Sequence, residues 1–166
     1  MHVQLVTPDL AALDAALDGP AALAQALGCE VAEGWAVFPG AVRRSRDAVA
    51  ADPLSVRWGT RFFVAREPRT LVGWGGFKGP PLNGAVELGY AVAPGWEGRG
   101  VASAAVRELL RAAWAAPEVQ AVLAHTLAGP GASVRVLEKS GFVHDGAAEQ
   151  DEVGTVWRFR RERGSA

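Results

Sequence analysis

A glycine-rich turn between an apolar strand and a long helix is the feature of this chain that most limits its fold. The stretch from Val86 to Trp114 reads V-E-L-G-Y-A-V-A-P-G-W-E-G-R-G-V-A-S-A-A-V-R-E-L-L-R-A-A-W. At its centre, Glu97 to Ser103 places small residues where the helix begins. Several backbone N–H groups there can point outward together, toward a position that the positive end of the helix dipole favours for anions. The turn therefore predicts a site for a phosphate group.

The composition is that of one globular domain without a nucleic-acid or membrane partner. The chain has 166 residues, of which 49% are apolar and 21% charged, which is enough for a sizeable core and too apolar for disorder. Its 17 basic and 18 acidic residues give a net charge of −1, so we expect no nucleic-acid partner. No apolar run approaches the roughly 20 residues that span a bilayer, so we expect no membrane insertion.

The cysteine, the histidines and the first residues of the chain bear on disulfides, metal sites and secretion. Cys29 is the single cysteine, which excludes an internal disulfide and a cysteine-rich metal site. His2 and His144 have no companions at metal-ligand spacing, so we predict no metal. The start, Met1 to Gln4, lacks the basic stretch and long apolar core of a secretory signal. We therefore expect a soluble, cytoplasmic protein.

Hydrophobic periodicity predicts helices in the first third of the chain and a mixed pattern afterwards. Val3 to Val6 is a short strand, and Thr7 is expected to cap the following helix, with Pro8 in its first turn. Helices are predicted up to Gly28 with a break at Gly19, and over 41–51, 101–114 and 132–140; strands are predicted over 61–65, 71–77, 85–93, 119–126, 142–143 and 153–159. Short connections make 61–93 an antiparallel meander. This order predicts one domain, 1–166, with a mixed α/β (α+β) fold: a mostly antiparallel sheet of about six to seven strands flanked by helices.

Two blocks of the sequence resemble the GCN5-related N-acetyltransferase (GNAT) superfamily. The first runs from Glu87 to Ser103 and is similar to the acetyl-CoA motif Q/R-x-x-G-x-G/A, with Glu97 where Gln or Arg is usual. The second, Ala132 to Phe142, follows at the family's spacing and looks most like the branch that contains ribosomal-protein alanine and serine acetyltransferases. The resemblance covers about residues 71–159. It implies the GNAT fold, with an acetyl-CoA-binding core over 61–160 and an acceptor pocket shaped by residues 1–60.

The resemblance also implies the reaction and its partners. Acetyl-CoA is the implied cofactor, and an acetyl group would pass to a primary amine, either a protein N-terminus or a small-molecule amine, by direct attack in a ternary complex. Family members are often dimers, so a homodimer is implied as well. The residues implied to hold the cofactor are Tyr90, Ala91 and Val92 on the strand, the Val92 N–H also meeting the oxyanion, and Glu97, Gly98, Arg99, Gly100, Val101, Ala102 and Ser103 in the turn.

Glu87 is the candidate general base, because an amine attacks only when it is neutral. If Val86, Leu88, Tyr90 and Val92 face the core, Glu87 lies on the opposite face of the strand among Gly89, Ala91 and Ala93. A single carboxylate then stands on a face otherwise free of bulk, where a cofactor has room to lie. Partial burial is expected to raise the pKa of Glu87 toward the working range. His125, on a neighbouring strand, is expected to be a packed or hydrogen-bonded residue without a chemical role.

Ser133 is the candidate proton donor to the departing thiolate. Many family members use a tyrosine for this step, but Leu137 occupies that position here. The asparagine that commonly contacts the cofactor is also missing, since Pro130 and Gly131 stand at its positions. A plain helix cap is an equally good interpretation of Ser133.

Two other functional classes compete with an acetyltransferase. A Rossmann dinucleotide site shares the order strand, glycine turn and helix, but its motif follows the first strand of a parallel unit, whereas three hairpin-linked strands come first here. A P-loop is excluded because no Gly-Lys-Ser/Thr follows the turn. The departures at Leu137 and Gly131 keep open a non-catalytic acyl-CoA sensor or partner-binding module on the same fold.

Overall fold

The computed structural model describes residues 1–36 and 39–165. Within these residues, eight strands form one sheet in the order β1-β3-β4-β5-β6-β8-β7, with β2 beside β4. The strands are β1 (Val3–Val6), β2 (Glu30–Val31), β3 (Thr60–Arg66), β4 (Arg69–Phe77), β5 (Ala85–Val92), β6 (Ala121–Leu127), β7 (Val143–Gln150) and β8 (Gly154–Glu162). Only the β2/β4 and β5/β6 pairs in this described part are parallel. The predicted mixed, mostly antiparallel sheet is confirmed, with β2 as a strand that the sequence did not predict.

In the part of the chain that the structure describes, five α-helices cover the sheet. They are α1 (Leu10–Asp18), α2 (Pro20–Leu27), α3 (Pro39–Ala51), α4 (Val101–Trp114) and α5 (Ala132–Lys139), with 3-10 turns at Pro53–Trp58 and Pro94–Trp96. The expectation that Thr7 caps α1 is wrong: Asp9 is the cap, and its carboxylate accepts a hydrogen bond from the Ala12 N–H at 2.8 Å. A cap must immediately precede the first helical residue, which here is Leu10. Among the described helices, none is long and apolar enough to cross a membrane.

The helices pack against both faces of the sheet and create two separate hydrophobic cores. Adjacent residues of β3 show the division, because successive side chains of a strand point to opposite faces. Phe63 packs in the core beneath α4 and α5, whereas Phe62 packs in the core beneath α1, α2 and α3. Both rings are fully buried. A ligand that binds at β5 therefore meets α4 and α5 on one face of the sheet and α1, α2 and α3 on the other.

Strand β5 divides its side chains between these two faces largely as predicted. Val86 and Leu88 are buried in the core beneath α4, and Tyr90 and Val92 pack against it. The prediction that Ala93 lies on a face with room for a cofactor is wrong, since Ala93 is fully buried in the core beneath α1, α2 and α3. The helices of the first 60 residues cover the sheet there, so the open part of that face is limited to the neighbourhood of Glu87, Gly89 and Ala91.

Candidate functional site

The backbone of the glycine turn leaves N–H groups free at the start of α4. Gly98 and Gly100 have φ values of 72° and 80°, a left-handed conformation that favours glycine. Gly100 is the N-cap of α4 and provides no side-chain cap. The first bond inside the helix runs from the Ala104 N–H to the Gly100 carbonyl at 3.1 Å. The N–H groups of residues 101–103 precede that bond and are available to an anion.

Strands β5 and β6 diverge beside this turn. Their parallel ladder pairs Ala85 with Ala121 and ends where Leu88 pairs with Ala124. Beyond that pair, β5 continues to Val92 and β6 to Leu127. Residues 89–92 remain paired with β4 on their other edge. The fork therefore leaves one edge of this β5 segment open to pair with a ligand.

A cavity of about 400 Å³ connects the fork with the turn. Its walls come from β5, the turn, the first residues of α4 and one side of α5. All the residues predicted to hold the cofactor line this cavity except Arg99, whose guanidinium lies over the Trp96 ring at 4.8 Å. Glu97 lines it despite its negative charge, and so does Ser133. The remaining lining residues are Trp96, Ala132, Arg135, Val136 and Lys139.

A second cavity, which we call the basic groove, adjoins the first between α4 and α5. It measures about 910 Å³ and shares Ser103 and Lys139 with the first cavity. Three arginines also line it, Arg107, Arg111 and Arg161. The Arg161 guanidinium donates to the Ser140 carbonyl at 2.5 Å, and its buried Nε has no partner among the described residues. Glu108 forms ion pairs with two of these arginines, Arg111 at 2.6 Å and Arg107 at 3.9 Å. With Lys139, the groove still carries a net positive charge next to the free N–H groups of α4.

On the opposite face of β5, Glu87 makes two hydrogen bonds through one oxygen. Its Oε1 accepts from Lys78 Nζ at 2.9 Å and lies 2.5 Å from His125 Nδ1. The Glu87 side chain is 27% exposed and that of His125 20%. Burial alone raises the pKa of Glu87, but the hydrogen bonds and positive charges of Lys78 and His125 outweigh it, so the pKa is lowered. The expected upward shift is therefore wrong, because the sequence did not reveal the two partners.

Tyr90 and Ser133 meet at the other side of the fork. The Tyr90 hydroxyl donates to the Ser133 backbone carbonyl at 3.4 Å. Burial raises the pKa of Tyr90 to about 12, with the hydrogen bond from Tyr90 to Ser133 as a smaller opposing effect. Ser133 is exposed and does not cap α5, whose N-cap is Gly131 without a side-chain bond. Its hydroxyl is therefore free to meet a ligand in the 400 Å³ cavity.

His125 is hydrogen-bonded, as expected, but the sequence did not predict that its partner is the candidate base Glu87. Its contact with Glu87 crosses from β5 to β6, two strands separated in the chain by the whole of α4. The available signal was the pair of polar side chains on neighbouring strands, but their relative register was unknown. Among the described residues, no group of three or more potential metal ligands occurs.

Comparison with known proteins identifies the family. The family model described as an acetyltransferase (GNAT) domain matches residues 14–143, more than half of the chain. The chain belongs to the GNAT family. It is therefore an acetyltransferase enzyme with acetyl-CoA as its co-substrate. No curated protein matches its sequence.

Solved structures share the fold of this acetyltransferase at low sequence identity. A ribosomal-protein-S5-alanine acetyltransferase from Vibrio fischeri is 16% identical with a TM-score of 0.69, covering 99% of this chain and 94% of its own. A ribosomal L7/L12 alpha-N-protein acetyltransferase in complex with coenzyme A is 17% identical with a TM-score of 0.64, covering 96% and 93%. A spermidine/spermine N-acetyltransferase from Vibrio cholerae is 14% identical with a TM-score of 0.60, covering 73% and 74%.

Proposed function

We propose that this acetyltransferase moves the acetyl group of acetyl-CoA to a primary amine by direct attack in a ternary complex. The observation that carries the proposal is the fork between β5 and β6. One side of the fork opens on the 400 Å³ cavity, hereafter the cofactor cavity, and on the free N–H groups of α4. The other face carries the hydrogen-bonded pair Glu87 and His125. A thioester in the fork would be reached by an amine from the face that carries the acid–base groups.

Three parts of acetyl-CoA would bind on the side of the fork that opens on the cofactor cavity. Its pyrophosphate would accept hydrogen bonds from the N–H groups of residues 98–103, aided by the dipole of α4. The amide-containing arm would follow the open edge of residues 89–92 as an added strand. The phosphorylated adenosine end would enter the basic groove, where Arg107 and Lys139 supply positive charge.

The acceptor would approach over the small residues of the opposite face. Among the described residues, a Cβ added to Gly89 would meet only Lys78 Cε within 4 Å, at 3.5 Å. Trp74 pairs with Ala91 in the same sheet and is 7% exposed, and its indole N–H has no partner in the described part of the chain. Such a donor is available to a carbonyl or hydroxyl of the acceptor. We propose residues 1–60, which supply α1, α2 and α3, as the rest of the acceptor pocket.

The proposed function is tested by following free-thiol release from acetyl-CoA with two amine probes. One probe is an alanine tripeptide amide with a free N-terminus, and the other is spermidine, since structural neighbours act on ribosomal protein and on spermidine. We expect release with at least one probe, acetylation of its amino nitrogen in the mass spectrum, and intersecting initial-velocity lines. No release above hydrolysis with either probe contradicts the proposal.

Direct attack has its own control in the single cysteine. Cys29 is half-buried and packs against the core beneath α1, α2 and α3, away from the cofactor cavity. Cys29→Ser should therefore keep the turnover of the parent protein. Acetyl-CoA incubated without an amine should leave the protein mass unchanged. Parallel initial-velocity lines or an acetylated Cys29 would establish an acetyl-enzyme instead.

Ser133 remains the proposed proton donor to the leaving thiolate. Its exposed hydroxyl lines the cofactor cavity near the Tyr90 ring. A thiolate with a pKa near 8.5 leaves readily, so the acid contributes less than the ~10²–10⁴-fold typical of proton transfer catalysis. We expect Ser133→Ala to lower kcat about tenfold while the Kd for coenzyme A stays unchanged. An unaltered kcat in the variant would leave solvent as the proton source.

A further inference from the structure

We propose that His125 accepts the proton of the acceptor amine and that Glu87 is the positioning residue that holds the imidazole. This inference rests on the proposed function and assigns a role to a residue that neither the sequence motif nor the fold specifies. It reverses the sequence-based expectation, in which Glu87 is itself the base.

The first support is the place of His125 in the fork. The β5/β6 ladder ends at the pair Leu88 and Ala124, so Gly89 and His125 are the first residues past it on either strand. The reacting carbonyl would lie where the two strands separate. Before this point the β5/β6 ladder leaves no gap, and beyond it the cofactor arm would line the open edge of residues 89–92. His125 is at that point, and opposite it Gly89 has no side chain to block an approaching amine.

The second support is the division of hydrogen bonds between the two side chains. Both donors to Glu87, Lys78 Nζ and His125 Nδ1, meet the same carboxylate oxygen. A carboxylate so stabilised as an anion is a weak base. The imidazole, in contrast, uses only Nδ1, and its Nε2 has no hydrogen-bond partner among residues 1–36 and 39–165. An Nδ1–H donated to a carboxylate fixes the tautomer that leaves the Nε2 lone pair free to accept a proton.

The proton and electrons balance without any further reactant. The amine nitrogen forms a bond to the thioester carbonyl carbon, and the proton that this nitrogen loses passes to His125 Nε2. The carbon–sulfur bond then breaks, and its electron pair leaves on sulfur as the coenzyme A thiolate. The thiolate takes a proton on the Ser133 side of the fork, and the imidazolium returns its proton to solvent.

Charged side chains lie on the strands around His125. Glu87 of β5 carries the negative charge. Lys78, the residue after β4, binds the same Glu87 oxygen as His125. Arg158 of β8 is the register partner of His125, and it forms an ion pair with Asp145 of β7 at 3.4 Å. Two cations and two carboxylates thus lie on the elements around the ring. Replacing Glu87 by an uncharged residue removes one of the two negative charges, and the pH profile of kcat/KM reports the effect.

The test compares pH profiles of kcat/KM for the full chain, using whichever of the alanine tripeptide amide and spermidine is acetylated faster. His125→Asn retains a side-chain N–H for Glu87 but has no proton acceptor, so kcat/KM should fall by about 10²–10⁴-fold and the acidic limb due to the imidazole should vanish. Glu87→Gln retains a hydrogen-bond acceptor but not the charge. Its loss should be smaller, about tenfold, with the midpoint of the acidic limb moved to lower pH.

Controls separate a chemical role from a structural one. His144→Asn changes an exposed histidine that stacks on Trp157 and should keep the parent rate and profile. Calorimetry should give the same Kd for coenzyme A in all variants. If His125→Asn keeps its rate and acidic limb while Glu87→Gln is inactive, Glu87 is the base and the inference is overturned. A wild-type protein that binds coenzyme A but acetylates neither probe overturns the proposed function itself, an outcome visible before any variant is compared.

Discussion

Among single residues, Glu87 makes the stability of the folded chain depend on pH. Burial raises its pKa, but the bonds and charges of Lys78 and His125 outweigh this, so its pKa in the folded chain lies below its value in the unfolded chain. In acid, the unfolded chain therefore binds more protons. The stability contributed by Glu87 is present above the unfolded pKa, near 4.3, and is lost as the pH falls through the folded value.

Replacing the carboxylate should weaken this dependence. In Glu87→Gln, the free energy of unfolding from urea denaturation should decline less steeply than in the parent protein between about pH 5 and pH 3. Glu33→Gln is a suitable control, because Glu33 is exposed and makes no ion pair with the described residues. Parallel pH curves for the parent and Glu87→Gln would show that the two bonds to Glu87 do not persist in solution.

For Glu87, the sequence predicts the position of the side chain but not the direction of its pKa shift. Its position opposite Val86 and Leu88 was predictable, since a strand alternates its faces. The direction of its pKa shift was not, because it depends on Lys78 and His125, which the fold brings from 9 and 38 residues away. A sequence gives the type and spacing of charged residues, whereas a pKa depends on distances across the sheet.

Among the elements, the turn before α4 depends on backbone conformations that glycine adopts most easily. Gly100 has a φ of 80°, and a Cβ there would meet only Met1 Cβ at 3.8 Å, so the cost of a side chain is conformational rather than steric. Gly100→Ala should lower the free energy of unfolding by about 1–2 kcal/mol. It should also weaken coenzyme A binding in calorimetry, because relaxation of the turn displaces the N–H groups of residues 101–103.

Gly95→Ala is the matched control for this change. Gly95 lies in the same turn region, has no positive φ and has open space around an added Cβ. Its stability and coenzyme A affinity should match those of the parent protein. Equal losses in the two variants would mean that the left-handed conformation of Gly100 is not what the turn requires.

The basic groove between α4 and α5 predicts selectivity for the phosphorylated adenosine end of the cofactor. Arg107 lies on the exposed side of α4, and Lys139 ends α5, so both are replaceable without opening a core. The double variant Arg107→Ala/Lys139→Ala should bind coenzyme A about tenfold more weakly, while its affinity for 3′-dephospho-coenzyme A changes less, because charged hydrogen bonds of this kind contribute roughly 1.5–3 kcal/mol. Arg43→Ala on α3, an exposed change outside the groove, should alter neither affinity. Equal losses for both ligands would place the terminal phosphate elsewhere.

The accuracy of sequence-based prediction for the elements follows their length. The meander β3, β4 and β5 and the helices α4 and α5 were predictable because apolar residues recur with a clear period over seven or more positions. The two-residue strand β2 has no period to detect and forms only because Val31 pairs with Leu71. The N-cap was misassigned for a similar reason: Thr7 and Asp9 both suit a cap, and only the exact start of α1 decides between them.

In the whole molecule, the sheet separates the layer that is proposed to hold the cofactor from the layer that is proposed to hold the acceptor. Helices α4 and α5 lie on one side with the cofactor cavity and the basic groove. Helices α1, α2 and α3 lie on the other side, with Trp74 at the inner surface. The two substrates would meet only at the fork, where β5 and β6 leave a gap in the sheet. In this arrangement each substrate would have its own entrance, which favours the proposed ternary complex.

Adjacent phenylalanines of β3 provide a test of this division. Phe62 contacts the Trp35 ring edge to face, with centroids 5.5 Å apart, in the proposed acceptor layer. Phe63 lies against the glycines of β4, within 3.3 Å of a Cβ added at Gly73, in the cofactor layer. Phe62→Leu and Phe63→Leu remove similar volumes from fully buried sites, so each should lower the free energy of unfolding by about 1–2 kcal/mol.

Their effects on function should nevertheless differ. Phe62→Leu should raise the KM for the amine severalfold with the Kd for coenzyme A unchanged, because the repacking is confined to the layer beneath α1, α2 and α3. Phe63→Leu should weaken coenzyme A binding and leave the amine KM as it is, since its ring supports the strands beneath the cofactor. Urea denaturation, calorimetry and steady-state kinetics on the same preparations measure the three quantities. If both variants change the same constant, the sheet does not separate the two binding layers, and the acceptor must enter from the cofactor side.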